Sequence, residues 1–306
     1  MGDGGPARAG AASMDESYHG FAEKPFSPTP DPTFLFQSES HARAVERLAY
    51  AIDRREGFAV VTGERGTGKT TLCRALLERA NRGSLAALLP DGLRSAEAVL
   101  TAVLQEFGVV SRGIRTAAGP RPSRQELVNA FDDFLGSLAP LDARAVLVVD
   151  EAQGLPALLL EQVRILSTLE ANTDQRLQIV LVGQSSLLDL LGSPELRQLD
   201  QRVSTRFELE PLTADEVGAY VSHRLAIARA SRSVVFTSAA LQVVHRYSGG
   251  VPRVVNLLCD RALDRASSAR TGRVNDTLVV TAAGELGLEP VEPRSWIDRV
   301  LGRRAT

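Results

Sequence analysis

The stretch FAVVTGERGTGKTTLCRALL, residues 58–77, runs from an apolar segment of strand length through a glycine-rich turn into a helical period. It holds one of the only two lysines in 306 residues; the other is Lys24, and every other side chain with a fixed positive charge is arginine. The spacing gives a reason to write lysine at position 69. Gly63-Glu64-Arg65-Gly66-Thr67-Gly68-Lys69-Thr70 fits G-x-x-x-x-G-K-[ST], placed after a strand and at the opening of a helix. Glycines let the backbone wrap closely enough for successive N–H groups to face phosphate oxygens. A helix beginning near Lys69 adds its positive end. A compact ammonium on a flexible stem reaches between β- and γ-phosphates in such a loop, whereas a planar guanidinium is bulkier and prefers a forked acceptor. The phosphate-contacting set read from this loop is Gly63, Gly66, Thr67, Gly68, Lys69, Thr70 and Thr71, with the Thr70 hydroxyl also placed to meet Mg²⁺.

A second stretch, AVLVVDEAQ (145–153), carries the complementary chemistry. Apolar residues run into Asp150 and put a carboxylate at the C-terminal tip of a buried strand, where nucleotide sites of open α/β sheets lie. Asp150 would hold Mg²⁺ through water, and Glu151 would polarise the attacking water as general base. An adjacent Asp-Glu pair favours hydrolysis of ATP by the chain's own base over a kinase or a GTPase. QIVLVGQSSL (178–187) brings Gln184 to the next strand tip, either to touch the γ-phosphate or attacking water or to cap the following helix. In LRQLDQRVSTRFELEPL (196–212), Arg202 and Arg206 precede the last strand, as cations aimed at a neighbouring subunit's nucleotide or as surface charge. In GGVPRVVNLL (249–258), a Gly-Gly turn and a proline in the first turn present Arg253 at a helix start. From there it would reach back to the phosphates, or be one more surface arginine.

Around these motifs, apolar runs at 58–63, 84–90, 145–150, 178–183 and 206–212 alternate with helical periods. Four of the five are near-continuously apolar, which suits a parallel sheet covered on both faces and reached by right-handed crossovers. From residue 213 the pattern is helical throughout, with Thr213, Thr237 and Asn275 as N-caps. The expected organisation is a disordered N-terminal tail (1–17), a P-loop α/β domain with a five-stranded parallel sheet (18–212), a small all-α lid domain (213–287) and a C-terminal tail (288–306). A Gly/Pro-broken loop at 111–124 carries Arg112, Arg115, Arg121 and Arg124, which would either line a DNA-facing surface or form a solvated linker. The formal charge of −2 gives no global pull toward nucleic acid or an anionic membrane. Cys73 and Cys259 read as small buried hydrophobes in a reducing compartment. No run approaches the roughly 20 apolar residues of a membrane span, and the N-terminus has no apolar signal segment.

Taken together, these residues resemble the AAA+ ATPases, and among them the ExeA/GspA group of secretion-pathway and pilus-assembly ATPases that includes the MshM-like proteins. The resemblance rests on residues 18–72 with their KPFSPTPDP segment, then VLVVDEAQ, LVGQSSL, QRVSTRFELEPLT and SGGVPRVVNLLCDRAL, and spans most of residues 18–270. It implies an Mg²⁺-dependent ATPase working as a ring or filament. It makes Gln184 a sensor, Arg202 or Arg206 a finger acting in trans, Arg253 the lid-domain sensor, and Pro28 to Phe34 part of the adenine wall. It implies a partner in a secretion, pilus or polysaccharide-export machine and a cytoplasmic location, peripheral at the inner membrane through that partner. ExeA-type proteins continue into a membrane span and a peptidoglycan-binding region, whereas this chain stops at Thr306, so a purely cytoplasmic ATPase module is the expectation. TniB/TnsC-type transposition ATPases share the core motifs and give the alternative, a DNA-binding regulator. A nucleotide-dependent scaffold with negligible turnover is a third reading, against which Glu151 argues.

Overall fold

The computed structural model describes residues 18–27, 32–34, 36–80, 84–90, 92–110, 122–168 and 176–291. The chain forms two compact units, one of residues 37–210 and one combining the segment up to residue 36 with everything from 211 onward.

The first unit is an α/β sandwich. In chain order it runs α1 (Glu39–Asp53), β1 (Phe58–Gly63), α2 (Lys69–Ala80), β2 (Ser84–Leu89), α3 (Ala96–Glu106), α4 (Arg124–Leu138) and β3 (Arg144–Val149). It continues through α5 (Ala157–Leu166), β4 (Leu177–Gly183), α6 (Ser186–Leu191), α7 (Arg197–Asp200) and β5 (Val203–Leu209). The five strands are all parallel, in the order β2-β3-β4-β1-β5. Alternate residues of each central strand enter different cores. Phe58, Val60, Leu147, Ile179 and Leu181 pack on one face with α3, α4 and α5, while Ala59, Val61, Val146, Val148, Val180 and Val182 pack on the other with α1 and α2. Burial on both faces is the physical reason these strands are written as continuous apolar runs.

Chain direction across the sheet changes at β1. From it the chain crosses to β2, returns through β3 and β4, and ends on its far side at β5, so a switch point opens at the carboxyl ends of β1 and β4. The fifth strand starts at Val203, three residues before its sequence-based start, and ends at Leu209. It is an edge strand in which Ser204, Arg206 and Glu208 face solvent. Its polar first half therefore does not look like the buried strands, and pairing of Val203 with Phe58 fixes its start.

The second unit contains α8 (Ala214–Ala228), β6 (Val235–Phe236), α9 (Ser238–Ser248), α10 (Pro252–Ser268), β7 (Arg273–Val274) and α11 (Asp276–Glu285). Thr213, Thr237 and Asn275 cap α8, α9 and α11 through their side chains, and Thr213 forms a capping box with Glu216. β6 and β7 make one short parallel pairing. The segment before residue 37, expected within the α/β domain, packs here instead: Phe21, Phe26 and Phe34 are buried among Val217, Tyr220, Phe236 and Cys259. Three aromatics on so short a segment cannot bury one another, and the helices supply the missing surface. The two tails at 1–17 and 292–306 lie outside the described residues.

Candidate functional site

Strand β1 delivers Gly63 at its C-terminal end, and the chain turns through Glu64–Gly68 into α2. Gly66 and Gly68 adopt φ of 89° and 99°, a region that side chains rarely enter. At Gly68 a Cβ would come within 2.7 Å of His41 Nε2 on α1, so glycine also permits the close packing of that helix. Thr67, fully buried, closes the turn by donating its hydroxyl to Glu64 O at 2.9 Å. Lys69 is only 4% exposed and donates Nζ to Gly63 O at 3.1 Å and Glu64 O at 3.0 Å. Burial lowers its pKa, opposed by the nearby Glu151 and Asp150 carboxylates. The ammonium thus sits inside the loop, hydrogen-bonded to backbone carbonyls and facing the Glu151 and Asp150 charges.

Asp150 and Glu151 follow the last residue of β3. Thr70 Oγ1 donates to Asp150 Oδ2 at 2.7 Å, which places a hydroxyl and a carboxylate side by side at the start of α2. The other oxygen, Asp150 Oδ1, accepts from the Glu151 backbone N–H at 2.9 Å. Glu151 itself has a left-handed φ of 46°. Its Oε2 accepts from Gln153 Nε2 and from Gln184 Nε2, the latter at 3.4 Å. Partial burial pushes the Glu151 carboxyl up, but the two amide donors and the charges of Lys69 and Arg65 outweigh it and hold the group below its ordinary value. The tips of β1, β3 and β4 therefore assemble a buried cation, a hydroxyl–carboxylate pair suited to a hard divalent ion, and an ionised carboxylate braced by amides. Thr71 follows Thr70 on α2 and is half-buried.

The other predicted residues sit on other elements. β5 begins beside the first residue of β1, and the glycine loop follows the last, so Arg202 stands at the end of the sheet away from Lys69. It donates Nη1 to Ser167 Oγ at 2.9 Å, and Arg206 pairs with Asp200 at 2.8 Å. Arg253 is an exposed second residue of α10 in the helical unit. Of the loop arginines, Arg112, Arg115 and Arg121 lie outside the described residues, and Arg124 donates to Gln162 Oε1 at 2.9 Å. In the segment assigned to the adenine wall, Pro28 to Asp31 lie outside the described residues, and Phe34 is buried in the core of the helical unit. Two residues beside the site were not singled out from the sequence: His41 on α1 against Gly68, whose Nδ1 lies 2.7 Å from Ser38 Oγ, and Gln153 after β3. Gln153 was visible two places after Glu151, but its other partner, Gln184, becomes a neighbour only when β3 pairs with β4.

Comparison with known proteins agrees with this geometry. A family profile described as an AAA domain matches residues 52–191. The crystal structure of ORC2 from Aeropyrum pernix, in its ADPNP–ADP complexes, superposes with a TM-score of 0.64 at 15% identity, over 89% of this chain and 74% of that one. Cdc6p from Pyrobaculum aerophilum gives 0.62 at 18% identity, over 90% and 73%. At such identities the likeness concerns the fold alone. Together with the profile match, the P-loop and the Asp-Glu strand tip, the sheet order defines the class: an AAA+ P-loop fold. Among curated proteins the chain is 38% identical over 276 residues to General secretion pathway protein A of Aeromonas hydrophila, covering 89% of this chain and 48% of that relative. The chain is similar to this relative along most of its own length, and spans about half the length of the relative. Among the described residues no helix is long and apolar enough to cross a membrane.

Proposed function

We propose that the protein binds ATP with Mg²⁺ at the tips of β1, β3 and β4 and hydrolyses it to power assembly of a secretion, pilus or polysaccharide-export machine. The observation that carries the reading is the joined set Lys69–Thr70–Asp150–Glu151, in which one hydrogen bond, Thr70 Oγ1 to Asp150 Oδ2 at 2.7 Å, couples the phosphate loop to the acidic strand tip. The residues fit the ion. A hydroxyl beside a carboxylate, Thr70 Oγ1 and Asp150 Oδ2, suits Mg²⁺, an ion that keeps several waters and takes phosphate oxygens beside one or two protein groups. Thr70 and Asp150 would hold it, and when bound it neutralises charge on the phosphates.

Lys69 can exchange its carbonyl partners for β- and γ-phosphate oxygens without leaving the loop. Glu151, kept ionised by its amide donors, takes the proton of the water that attacks the γ-phosphorus. The reading is tested with Glu151→Gln, which removes the base and keeps the volume. Turnover should fall by about 10²- to 10⁴-fold, with nucleotide affinity within about threefold, since binding loses no partner. Turnover at the parent rate would remove Glu151 from the mechanism.

The role in assembly is supported by the name of the Aeromonas relative. A ring or filament is supported by Arg202, which stands at the end of the sheet away from its own phosphate loop, and by Arg206, whose guanidinium is turned to Asp200. Supplied across an interface, either would neutralise charge on a neighbour's γ-phosphate, an effect worth about 10³-fold or more in related enzymes. Mixing an Arg202→Ala/Arg206→Ala protein with a Lys69→Ala protein should then restore turnover that neither has alone. Specific activity independent of protein concentration, with the arginine variant unimpaired, would return both residues to surface charge.

A further inference from the structure

Gln153 helps keep Glu151 ionised, and its amide is bonded at both ends. Its Nε2 donates to Glu151 Oε2, and its Oε1 accepts from the Gln184 backbone N–H at 3.0 Å. The Gln184 side chain reaches the same Glu151 oxygen at 3.4 Å. A closed ring therefore links the carboxylate after β3 to the backbone after β4. Gly183, the last residue of β4, makes room for it: a Cβ there would overlap Gln153 Oε1 and press within 3.0 Å of Leu187. The carboxylate also needs holding, because Glu151 sits at a φ of 46°, sparsely populated by residues other than glycine. Both amide donors fall on Oε2. Oε1 is then the oxygen turned to a water's proton, and its direction depends on how Oε2 is held.

We propose that Gln153 is a positioning residue: it sets the orientation of the Glu151 carboxylate and ties it to the tip of β4, so that a displacement of Gln184 is passed to the base. The inference rests on Glu151 being the general base. Any group that moves the β4 tip, a γ-phosphate touching Gln184 among them, acts on the base through one amide. Hydrolysis would thereby respond to occupancy at Gln184 without any change in how tightly the phosphates are held by the glycine loop.

A double-mutant cycle with the full chain tests this, reading phosphate release and equilibrium binding of a fluorescent ATP analogue. Gln153→Leu removes both amide ends at similar length. It should lower kcat by about 10- to 100-fold, the cost of a small misplacement of a catalytic group. Affinity for the analogue should stay within about threefold, since the loop contacts are untouched. In the Glu151→Gln background the same change should cost less than about twofold, because a residue acting only through Glu151 has nothing left to orient. Gly183→Ala, which displaces the Gln153 carbonyl, should reproduce the kcat loss.

Parent-like kcat in Gln153→Leu overturns the proposal, as does an equal loss in the Glu151→Gln background, which marks a general structural role. Gln153→Glu keeps the acceptor for Gln184 N–H and the volume but sets a second carboxylate against Glu151. If Gln153→Leu fails to bind nucleotide, low kcat with intact binding in Gln153→Glu supports the proposal, and lost binding in both overturns it. A parent-like rate in Glu151→Gln alone sinks the base assignment and this inference with it. That outcome is visible without any Gln153 variant.

Discussion

Among the described residues, each of the two compact units buries one lysine or arginine side chain and turns it on backbone carbonyls, and they use different residues to do it. In the α/β unit it is Lys69, 4% exposed, donating to Gly63 O and Glu64 O. In the helical unit it is Arg224 of α8, 7% exposed, donating Nε to Pro25 O at 2.6 Å, Nη2 to Ser27 O at 3.3 Å and Nη1 to the Tyr220 hydroxyl at 2.9 Å. The guanidinium also lies over the Phe34 ring, 4.7 Å from its centroid, and the Tyr220 hydroxyl donates to Asn256 Oδ1 at 2.8 Å. Burial pushes the Tyr220 hydroxyl above its ordinary pKa, with Arg224 opposing the shift, so the network stays uncharged at its phenol. A planar fork engaged on three edges and stacked on a ring has little freedom to change partners. A point charge on a four-carbon stem exchanges carbonyl oxygens for phosphate oxygens at low cost. Equal burial, then, does not mean equal purpose: the lysine is a ligand kept in reserve, the arginine an anchor for the segment before residue 37.

The largest expected effect tests the lysine side of this contrast. Lys69→Ala should weaken ATP binding by about 100- to 1000-fold, roughly 3–4 kcal/mol, as charge-assisted contacts to phosphate are lost. Lys69→Arg should recover little of that affinity in a loop shaped for an ammonium. Neither should loosen the helical unit. Isothermal titration shows it directly, and an arginine variant binding as tightly as the parent would end the distinction between the two cations.

A smaller effect is expected for the anchor. Arg224→Ala leaves two carbonyls and a buried phenol without their donor, at a cost of about 2–3 kcal/mol. The loss should appear as faster hydrogen exchange at Ala22, whose N–H is bonded to Ala228 O at 3.0 Å. Arg224→Lys, which keeps the charge and forfeits the fork, should cost about 1 kcal/mol. Unchanged exchange at Ala22 in both would mean that Phe21, Phe26 and Phe34 hold the segment without the arginine.

The legible part of the molecule was its local chemistry. Lys69 stood out because its loop must present backbone N–H groups and glycines at fixed spacing, a demand written within eight consecutive residues. Asp150 and Glu151 were legible because an apolar run ending in acid is itself the description of a buried strand tip. Strands β1, β3 and β4 were legible for the same reason of burial on both faces, β2 by its apolar run although Leu85 is exposed at the other edge of the sheet, and the fifth, half-exposed at its edge, was displaced by three residues. Gln153 was on the page beside Glu151, but nothing local distinguishes a glutamine that braces a base from one that faces water.

From sequence alone came what neighbouring residues decide between themselves: the phosphate loop, the acidic tip, the helix caps at Thr213, Thr237 and Asn275, and the alternation that makes a parallel sheet. Tertiary structure alone decided which distant residues meet. Strand order β2-β3-β4-β1-β5 brings Gln184 to Glu151 and leaves Arg202 at the opposite end of the sheet. Packing of three phenylalanines gives the segment before residue 37 to helices about two hundred residues later. The physical reason is the range of the interactions. Backbone geometry and capping act within one turn of chain, whereas burial of apolar surface is satisfied by any complementary surface in reach, whatever its distance along the sequence.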